Sequence, residues 1–324
     1  APCGSLMSRS EPTLGELRAA LTDTTLELVR VPSVTGEERD LCDHTEIRLL
    51  RTFDRHAVVR HADSLIVLPG PRDPSRPTVA LVGHLDTVPP RQDAPPHADT
   101  ERIHGCGVSD MKSGLAVMLE LLERLDFGAL GVNVTMIFYE REEGDYELNG
   151  LQPLLERYPV LREVDLAFCL EPSDNRLQLG SLGGIHCTLS FHGRRAHSAR
   201  PWQGDNAIHK MWPVLRDLQA FERVPVTLGD VTFYEVMSVT QARAGAARNV
   251  VPDLCELNLN YRFAPGRSLA SGKADIEAIV DGRCDITWTD LSPSGPVCRD
   301  NPLLAPLFAL RDAGELVVEP KQAW

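Results

Sequence analysis

One histidine and five carboxylates have the residue types and the spacing of a metal site that could hydrolyse an amide. They stand in the segments GHLDTVP, HGCGVSDMKSG, YEREEGD and CLEPSD, and the candidates are His84, Asp86, Asp110, Glu142, Glu143 and Glu171. Imidazole nitrogen and carboxylate oxygen are the ligands that hold hydrolytic zinc. The sequence therefore predicts a metal centre assembled from successive loops of one sheet.

His84 and Asp86 are two residues apart, so in an extended segment both side chains point to the same side. The carboxylate of Asp86 could then hold one imidazole nitrogen and leave the other to face a metal. The alternative is a histidine with a purely structural role. For Asp110, which directly precedes a predicted helix, the alternative is an N-cap.

Glu142 and Glu143 are adjacent, and outside a helix adjacent side chains diverge. One of them can therefore bind metal while the other faces a water molecule. The alternative is a solvated acidic turn, because the surrounding residues are polar. Glu171 follows an apolar run, and a carboxylate at the end of a buried strand needs a partner.

The elements that must position these residues form an α/β pattern. A first helix is expected over residues 14–30, and a second is expected to begin at about Gly36 to Glu38. A third is indicated by apolar residues at helical spacing: Leu115, Met118, Leu119, Leu122 and Leu125. Apolar runs predict strands at residues 64–68, 78–82, 132–139 and 164–170. Each acidic candidate follows such a strand or precedes a helix, at the edge where open α/β sheets bind ligands.

From about Gly183 the pattern changes to strands with one exposed face. We expect strands at residues 185–191, 233–241 and 255–263, and helices at 205–222, kinked at Pro213, and at 268–280. Residues 184–288 are thus predicted to be an inserted α+β domain. Residues 1–183 and 289–324 would form the catalytic domain, with a mostly parallel sheet flanked by helices.

Composition excludes several classes of partner. The 324 residues carry 46 acidic and 33 basic side chains, a net charge of −13, so nucleic acid and anionic membranes are poor partners. The apolar runs are shorter than the roughly 18 residues of a membrane span. The eight cysteines form no CxxC pair, which favours reduced thiols in a cytoplasm. No secretory signal is expected at the start, and Met7 is a candidate first residue.

The four segments above, together with GRRAHSARPWQGDNAIHK and ARNVVPD, resemble the zinc-dependent aminoacylase and carboxypeptidase family. Within it the resemblance is greatest to the actinobacterial succinyl-diaminopimelate desuccinylases. It implies that His84, Asp110 and Glu171 hold one zinc and that Asp110 bridges to a second zinc bound by Glu143. It also implies that Asp86 orients His84 and that Glu142 is the general base; cobalt is a possible substitute metal.

The resemblance further implies a homodimer formed through the inserted domain. His197 would reach into the partner's active site and stabilise the oxyanion, while Asn249 and Arg262 would face an N-acyl amino-acid substrate. Arg200 adds positive charge near His197, which suits a dicarboxylate. Without the resemblance, His197 could be an ordinary loop histidine and Arg262 a solvated charge.

The sequence departs from the family pattern in two respects. GSLGG, residues 180–184, replaces an Arg-rich turn of many desuccinylases. In addition, the family's last metal ligand is a histidine near the C-terminus, whereas the last histidine of this sequence is His209. We therefore expect the second zinc site, left with Asp110 and Glu143, to be weak. The leading hypothesis is a desuccinylase. The alternatives are another deacylase or dipeptidase, such as an acetylornithine deacetylase, or an inactive homologue that binds a carboxylate ligand or a partner protein.

Overall fold

The computed structural model describes residues 12–91 and 94–322, which fall into two compact units on either side of the Pro172–Ser173 peptide. The candidate first residue, Met7, lies outside the described residues. None of the helices in the described ranges is long and apolar enough to cross a membrane. The seven cysteines in these ranges are free thiols.

The first unit contains four α-helices and seven strands within its described residues. The helices are α1 (Leu14–Val29), α2 (Arg39–Leu49), α3 (Ser113–Arg124) and α4 (Leu151–Arg157). The strands are β1 (Val58–His61), β2 (Ser64–Val67), β3 (Thr78–His84), β4 (His97–Ala98), β5 (Ile103–His104), β6 (Asn133–Tyr139) and β7 (Leu166–Cys169).

The main sheet of the first unit has the order β1-β2-β6-β3-β7. Strands β6, β3 and β7 are parallel, whereas β1, β2 and β6 pair antiparallel. The α/β class is thus confirmed, and the sheet is mixed with a parallel section at the strands that carry the site. Strands β4 and β5 form a separate hairpin.

Helices cover both faces of this sheet, because its central strands are apolar on both sides. On one face α1, α2 and α3 pack through residues such as Leu28, Leu41 and Leu119. On the other face α4 and the following turn contribute Leu154 and Leu161. The predicted stripe of α3 is buried, except that Leu125 lies just beyond the end of the helix and is 43% exposed.

The second unit contains three α-helices and nine strands within its described residues. The helices are α5 (Ala207–Gln219), α6 (Leu269–Val280) and α7 (Ala305–Asp312). The strands are β8 (Leu177–Leu179), β9 (Gly183–His192), β10 (Ala196–His197), β11 (Val224–Leu228), β12 (Val231–Ala244), β13 (Val250–Val251), β14 (Leu254–Phe263), β15 (Asp285–Ser292) and β16 (Val318–Pro320).

Its main sheet is antiparallel throughout, in the order β11-β12-β14-β9-β15. The alternation predicted for β14 is confirmed, since Cys255 to Phe263 are buried at every second position. These side chains pack against Val214 of α5 and Ile276 of α6. Pro213 lies inside α5, as predicted. One face of the sheet is therefore covered by helices.

The compact units do not follow the predicted domain boundaries residue by residue. Strand β15 extends to Ser292, and the segment after it returns to pair β16 with β8 within the second unit. The assignment of residues 1–183 and 289–324 to a catalytic domain, and of 184–288 to an inserted domain, stays a prediction.

Candidate metal centre

The candidate ligands of the first unit lie where the parallel strands end. His84 is the last residue of β3, Glu142 and Glu143 follow β6, and Glu171 follows β7. Because these three strands are parallel, their carboxyl ends meet at one edge of the sheet. Asp110 joins them from Val108–Lys112, a single irregular helical turn directly before α3.

The imidazole of His84 lies at the centre of the cluster. Its Nε2 lies 3.0 Å from Asp110 Oδ1, 3.8 Å from Glu171 Oε1 and 3.9 Å from Glu142 Oε2. Two sets of possible ligand atoms lie within 4.8 Å of one another: His84 with Glu142 and Glu171, and His84 with Asp110 and Glu143. The structure therefore brings together all five first-unit residues that the sequence predicted to bind metal or act as base.

The surroundings of His84 determine which of its nitrogens faces the carboxylates. Nδ1 lies 2.9 Å from the backbone carbonyl oxygen of Asp86 and 3.4 Å from the Asp86 carboxylate. A carbonyl only accepts, so Nδ1 carries the proton, and Nε2 is left to bind a cation. Asp86 thus contacts the Nδ1 side of the ring through both its backbone oxygen and its carboxylate, and its role in orienting His84 stays a prediction.

The electrostatics of the cluster favour positive charge. Burial of His84 lowers the pKa of its imidazole, but hydrogen bonds to Asp110 and Asp86 and the nearby carboxylates outweigh burial and raise the pKa to about 11. Burial and the neighbouring Asp110 also raise the pKa of Glu143. The carboxylates around Nε2 favour a cation, and a divalent metal ion would take the place of a proton on His84 Nε2.

The carboxylate of Asp86 also holds the loop that carries the two adjacent glutamates. Its Oδ1 accepts the backbone N–H of Glu142 at 2.9 Å, and Oδ2 accepts the N–H of Glu143 at 3.0 Å and the Thr35 hydroxyl at 3.0 Å. Burial raises the pKa of Asp86, but His84 and the two N–H groups outweigh burial and leave the pKa below its ordinary value. Asp86 therefore connects His84 to the acidic loop.

Asp110 does not cap helix α3, so the N-cap alternative is wrong. The N-cap position is Lys112, without a side-chain capping hydrogen bond, and Asp110 has extended backbone angles and a cis peptide bond to Met111. Lys112 is 2% exposed, and its Nζ donates to the backbone oxygens of Leu28 and Val31. Burial lowers the pKa of Lys112 to about 8.

The candidate substrate residues lie in the second unit. His197 is in β10 and pairs with Val250, and the adjacent Ser198 N–H donates to the backbone oxygen of Asn249, so His197 and Asn249 are neighbours. The backbone N–H of Arg200 donates to the oxygen of His197 in the turn that follows. Arg262 lies on β14 beside Gly184. The substrate roles of these residues stay predictions.

A histidine and four carboxylates at the carboxyl edge of an α/β sheet define the class of the site. The oxygen-rich donor set with one neutral imidazole nitrogen fits a hydrolytic divalent metal, and the number of carboxylates suffices for two ions. The class of protein is therefore a metal-dependent hydrolase with a possible dinuclear centre.

Comparison with known proteins identifies the family. Residues 179–286 match the model of a peptidase dimerisation domain, and residues 65–166 match that of peptidase family M28. A succinyl-diaminopimelate desuccinylase of Corynebacterium glutamicum is 36% identical over 270 residues, 82% of this chain and 72% of that protein. A DapE protein of Mycobacterium tuberculosis is 35% identical over 267 residues, 82% of this chain and 74% of the relative.

The fold agrees with these sequence relationships. A tripeptidase structure from Staphylococcus aureus superimposes with a TM-score of 0.73 at 19% identity, covering 94% of this chain and 85% of the tripeptidase. The chain belongs to the M20 peptidase family, a family of metallohydrolases with an inserted dimerisation domain. The family membership predicted from the sequence is thus confirmed.

Proposed function

We propose that this protein is a metal-dependent amide hydrolase that releases succinate from N-succinyl-LL-2,6-diaminopimelate. The observation that carries the proposal is the convergence of His84 Nε2 with the carboxylates of Asp110, Glu142 and Glu171. The choice of acyl group is supported by relatives above 30% identity that are named for this reaction. The product would supply lysine and cell-wall precursor synthesis.

The residues of the first unit would divide the work between binding and proton transfer. His84, Asp110 and Glu171 would hold one ion, and Asp110 with Glu143 would hold a second. When bound, the metal supplies Lewis-acid polarisation of the scissile carbonyl and lowers the pKa of the attacking water. Glu142 would accept the proton of that water and deliver it to the leaving amine, a role worth about 100-fold or more.

The residues of the second unit would recognise the substrate. His197 would donate a hydrogen bond to the oxyanion, and Arg262 would pair with a substrate carboxylate through its planar guanidinium. Asn249 and Arg200 adjoin His197 through the backbone contacts described above, which supports a common role for this turn.

Zinc is the metal that we propose, since one imidazole and several carboxylates are a common zinc ligand set. Cobalt would be accepted by the same donors. The weakness of the second site stays a prediction, and elemental analysis of the purified protein tests both points. Bound zinc would support the proposed metal, and the number of ions held per chain tests the strength of the second site.

We also propose a homodimer formed through the second unit. Trp202, Ile208 and Trp212 are large apolar side chains that are 74%, 40% and 59% exposed, and Ile208 and Trp212 lie one turn apart on α5. Exposed apolar side chains that lie close together are typical of a protein interface. Residues 236–244 of β12 pair with β14 on one side, but among the described residues no strand pairs with them on the other side. This free edge of β12 could pair with another copy of the protein. The free thiols support a reducing compartment, and we propose the cytoplasm.

The deciding experiment measures succinate release from N-succinyl-LL-2,6-diaminopimelate by zinc-loaded protein, with N-acetylornithine and dipeptides as competing substrates. We expect the succinyl substrate to give the highest kcat/KM. A higher value with N-acetylornithine or a dipeptide would favour another deacylase or dipeptidase. No turnover of any of them by metal-loaded protein would favour an inactive homologue that binds a carboxylate ligand.

A further inference from the structure

We propose that Glu38 is a positioning residue for Glu142 and Glu143, through hydrogen bonds to the backbone of the loop that carries them. The inference rests on the proposed function for the roles of those two glutamates. Both hydrogen bonds that the Glu38 carboxylate accepts come from backbone N–H groups, those of Gly36 and Arg141. It accepts the N–H of Arg141, the residue directly before the two whose N–H groups donate to Asp86.

Glu38 is an almost fully buried carboxylate, 1% exposed, at the start of α2. Its Oε1 accepts the backbone N–H of Gly36 at 2.7 Å and that of Arg141 at 3.2 Å. Its Oε2 is buried and has no hydrogen-bond partner in the described part of the chain. A desolvated carboxylate is costly, so its two backbone contacts are the interactions that compensate for its burial.

The acidic loop needs an external support at this point. Arg141 has a φ of +61°, in the left-handed region that non-glycine residues seldom adopt. The three consecutive N–H groups of residues 141–143 all donate to carboxylates: the first to Glu38 and the next two to Asp86. Together these contacts fix the backbone from which the side chains of Glu142 and Glu143 project.

The segment before Glu38 ties the loop to the rest of the centre. The Thr35 hydroxyl donates to Asp86 at 3.0 Å, and the Thr35 N–H donates to the backbone oxygen of Thr87 at 3.2 Å. A Cβ built on Gly144 would lie 3.4 Å from the Thr35 methyl group, so this side chain also packs against the acidic loop. Residues 35–38 therefore connect the turn after His84 to the loop after β6.

Loss of the Glu38 acceptor should move the proposed base without removing any ligand. A displacement of about 1 Å of a catalytic group can cost about 100-fold in rate. We therefore expect Glu38→Ala to lower kcat by about 10- to 100-fold with little change in KM. Glu38→Gln keeps a carbonyl acceptor at the same position, so it should restore most of kcat.

A readout independent of catalysis is hydrogen exchange of the backbone amides of residues 141–143 in metal-free protein. Glu38→Ala should speed exchange of the Arg141 amide by about tenfold or more, because this N–H has lost its acceptor. Exchange of the Glu142 and Glu143 amides should rise with it, because the loop that carries them has lost a support. Glu38→Gln should leave exchange near that of the unmodified protein. Glu120→Ala is the matched control: Glu120 is 7% exposed and bonded to Arg48, far along the chain from this loop.

The proposal is overturned if Glu38→Ala leaves exchange of amides 141–143 unchanged, or if Glu120→Ala speeds it equally. A rise in KM with unchanged kcat would also overturn it. If the protein hydrolyses none of the substrates tested, the proposed function fails while the exchange result still decides the role of Glu38. If Glu38→Ala does not fold, Glu38→Asp takes its place in the experiment. Its side chain is shorter by one methylene, so its carboxylate lies farther from the Arg141 N–H. The proposal then requires faster exchange of amides 141–143 in Glu38→Asp.

Discussion

Replacing Asp86 by asparagine keeps the shape of the side chain but removes one of its two acceptor oxygens. In the protein, Oδ1 accepts the N–H of Glu142, while Oδ2 accepts the N–H of Glu143 and the hydroxyl of Thr35. The hydroxyl can rotate, but a backbone N–H cannot. Whichever way the amide is turned, its NH2 group faces at least one backbone N–H of the acidic loop.

The expected loss of stability follows from that mismatch. A hydrogen bond to a charged group contributes about 1.5–3 kcal/mol, and a buried donor left unsatisfied costs about 1–3 kcal/mol. Both free energies describe the same N–H group, so they are alternative measures of one loss and are not added together. We therefore expect Asp86→Asn to lower the free energy of unfolding by about 2–3 kcal/mol. For a unit of roughly 150 residues this corresponds to a fall in Tm of about 4–12 °C.

The assay is urea unfolding of metal-free protein at neutral pH, followed by circular dichroism. Metal must be removed because a bound ion would add its own stabilisation. Asp99→Asn is the matched control. Asp99 Oδ1 accepts the N–H groups of Glu101 and Arg102, both at 2.7 Å, Oδ2 lies 2.8 Å from His104 Nε2, and the side chain is 49% exposed. Water can replace the lost acceptor there, so the midpoint should not change.

An unchanged midpoint for Asp86→Asn would refute the reasoning, because it would mean that the carboxylate does not hold the acidic loop. An equal loss for Asp99→Asn would refute it as well. In that case the effect would come from removing a charge and not from leaving a buried N–H group without an acceptor.

Three further predictions concern catalysis, assembly and thiol chemistry. Glu142→Gln should lower kcat by about 100-fold or more while elemental analysis finds the metal content unchanged; unchanged turnover would exclude Glu142 as the base. Trp212→Glu should convert a dimer to a monomer in light scattering, and a persistent dimer would move the interface elsewhere. Burial raises the pKa of Cys42 and of Cys187 to about 12, so native protein at pH 8 holds both as thiols. Iodoacetamide should then label the exposed Cys298 but neither buried thiol until urea is added, and labelling of native Cys42 would contradict its burial.

Much of the sheet that carries the site could be predicted from the sequence. Strands β3, β6 and β7 are apolar runs that end in polar or acidic residues, and this contrast indicates both a buried strand and a loop at the ligand-binding edge. Helix α3 was equally clear from its stripe. Strands β11 and β15 were missed because one is short and contains Pro225 and the other mixes Asp and Thr with its apolar residues.

The residues that support the centre could not be predicted in the same way. Glu38 has the sequence signature of an acidic residue at the start of a helix, and Lys112 that of a surface lysine, yet both are buried. Their partners lie 103 residues away at Arg141 and 81 residues away at Val31. A local pattern carries no information about such contacts, so only a buried charge seen in three dimensions reveals them.

The most direct test of the metal centre is anomalous diffraction at the zinc edge from crystals grown with zinc. We expect a peak about 2.0–2.2 Å from His84 Nε2, with oxygens of Asp110 and Glu171 at similar distances. Crystals of the His84→Ala variant grown in the same way should lack that peak. A peak only at other residues, or density at this position that survives His84→Ala unchanged, would contradict a centre organised around His84.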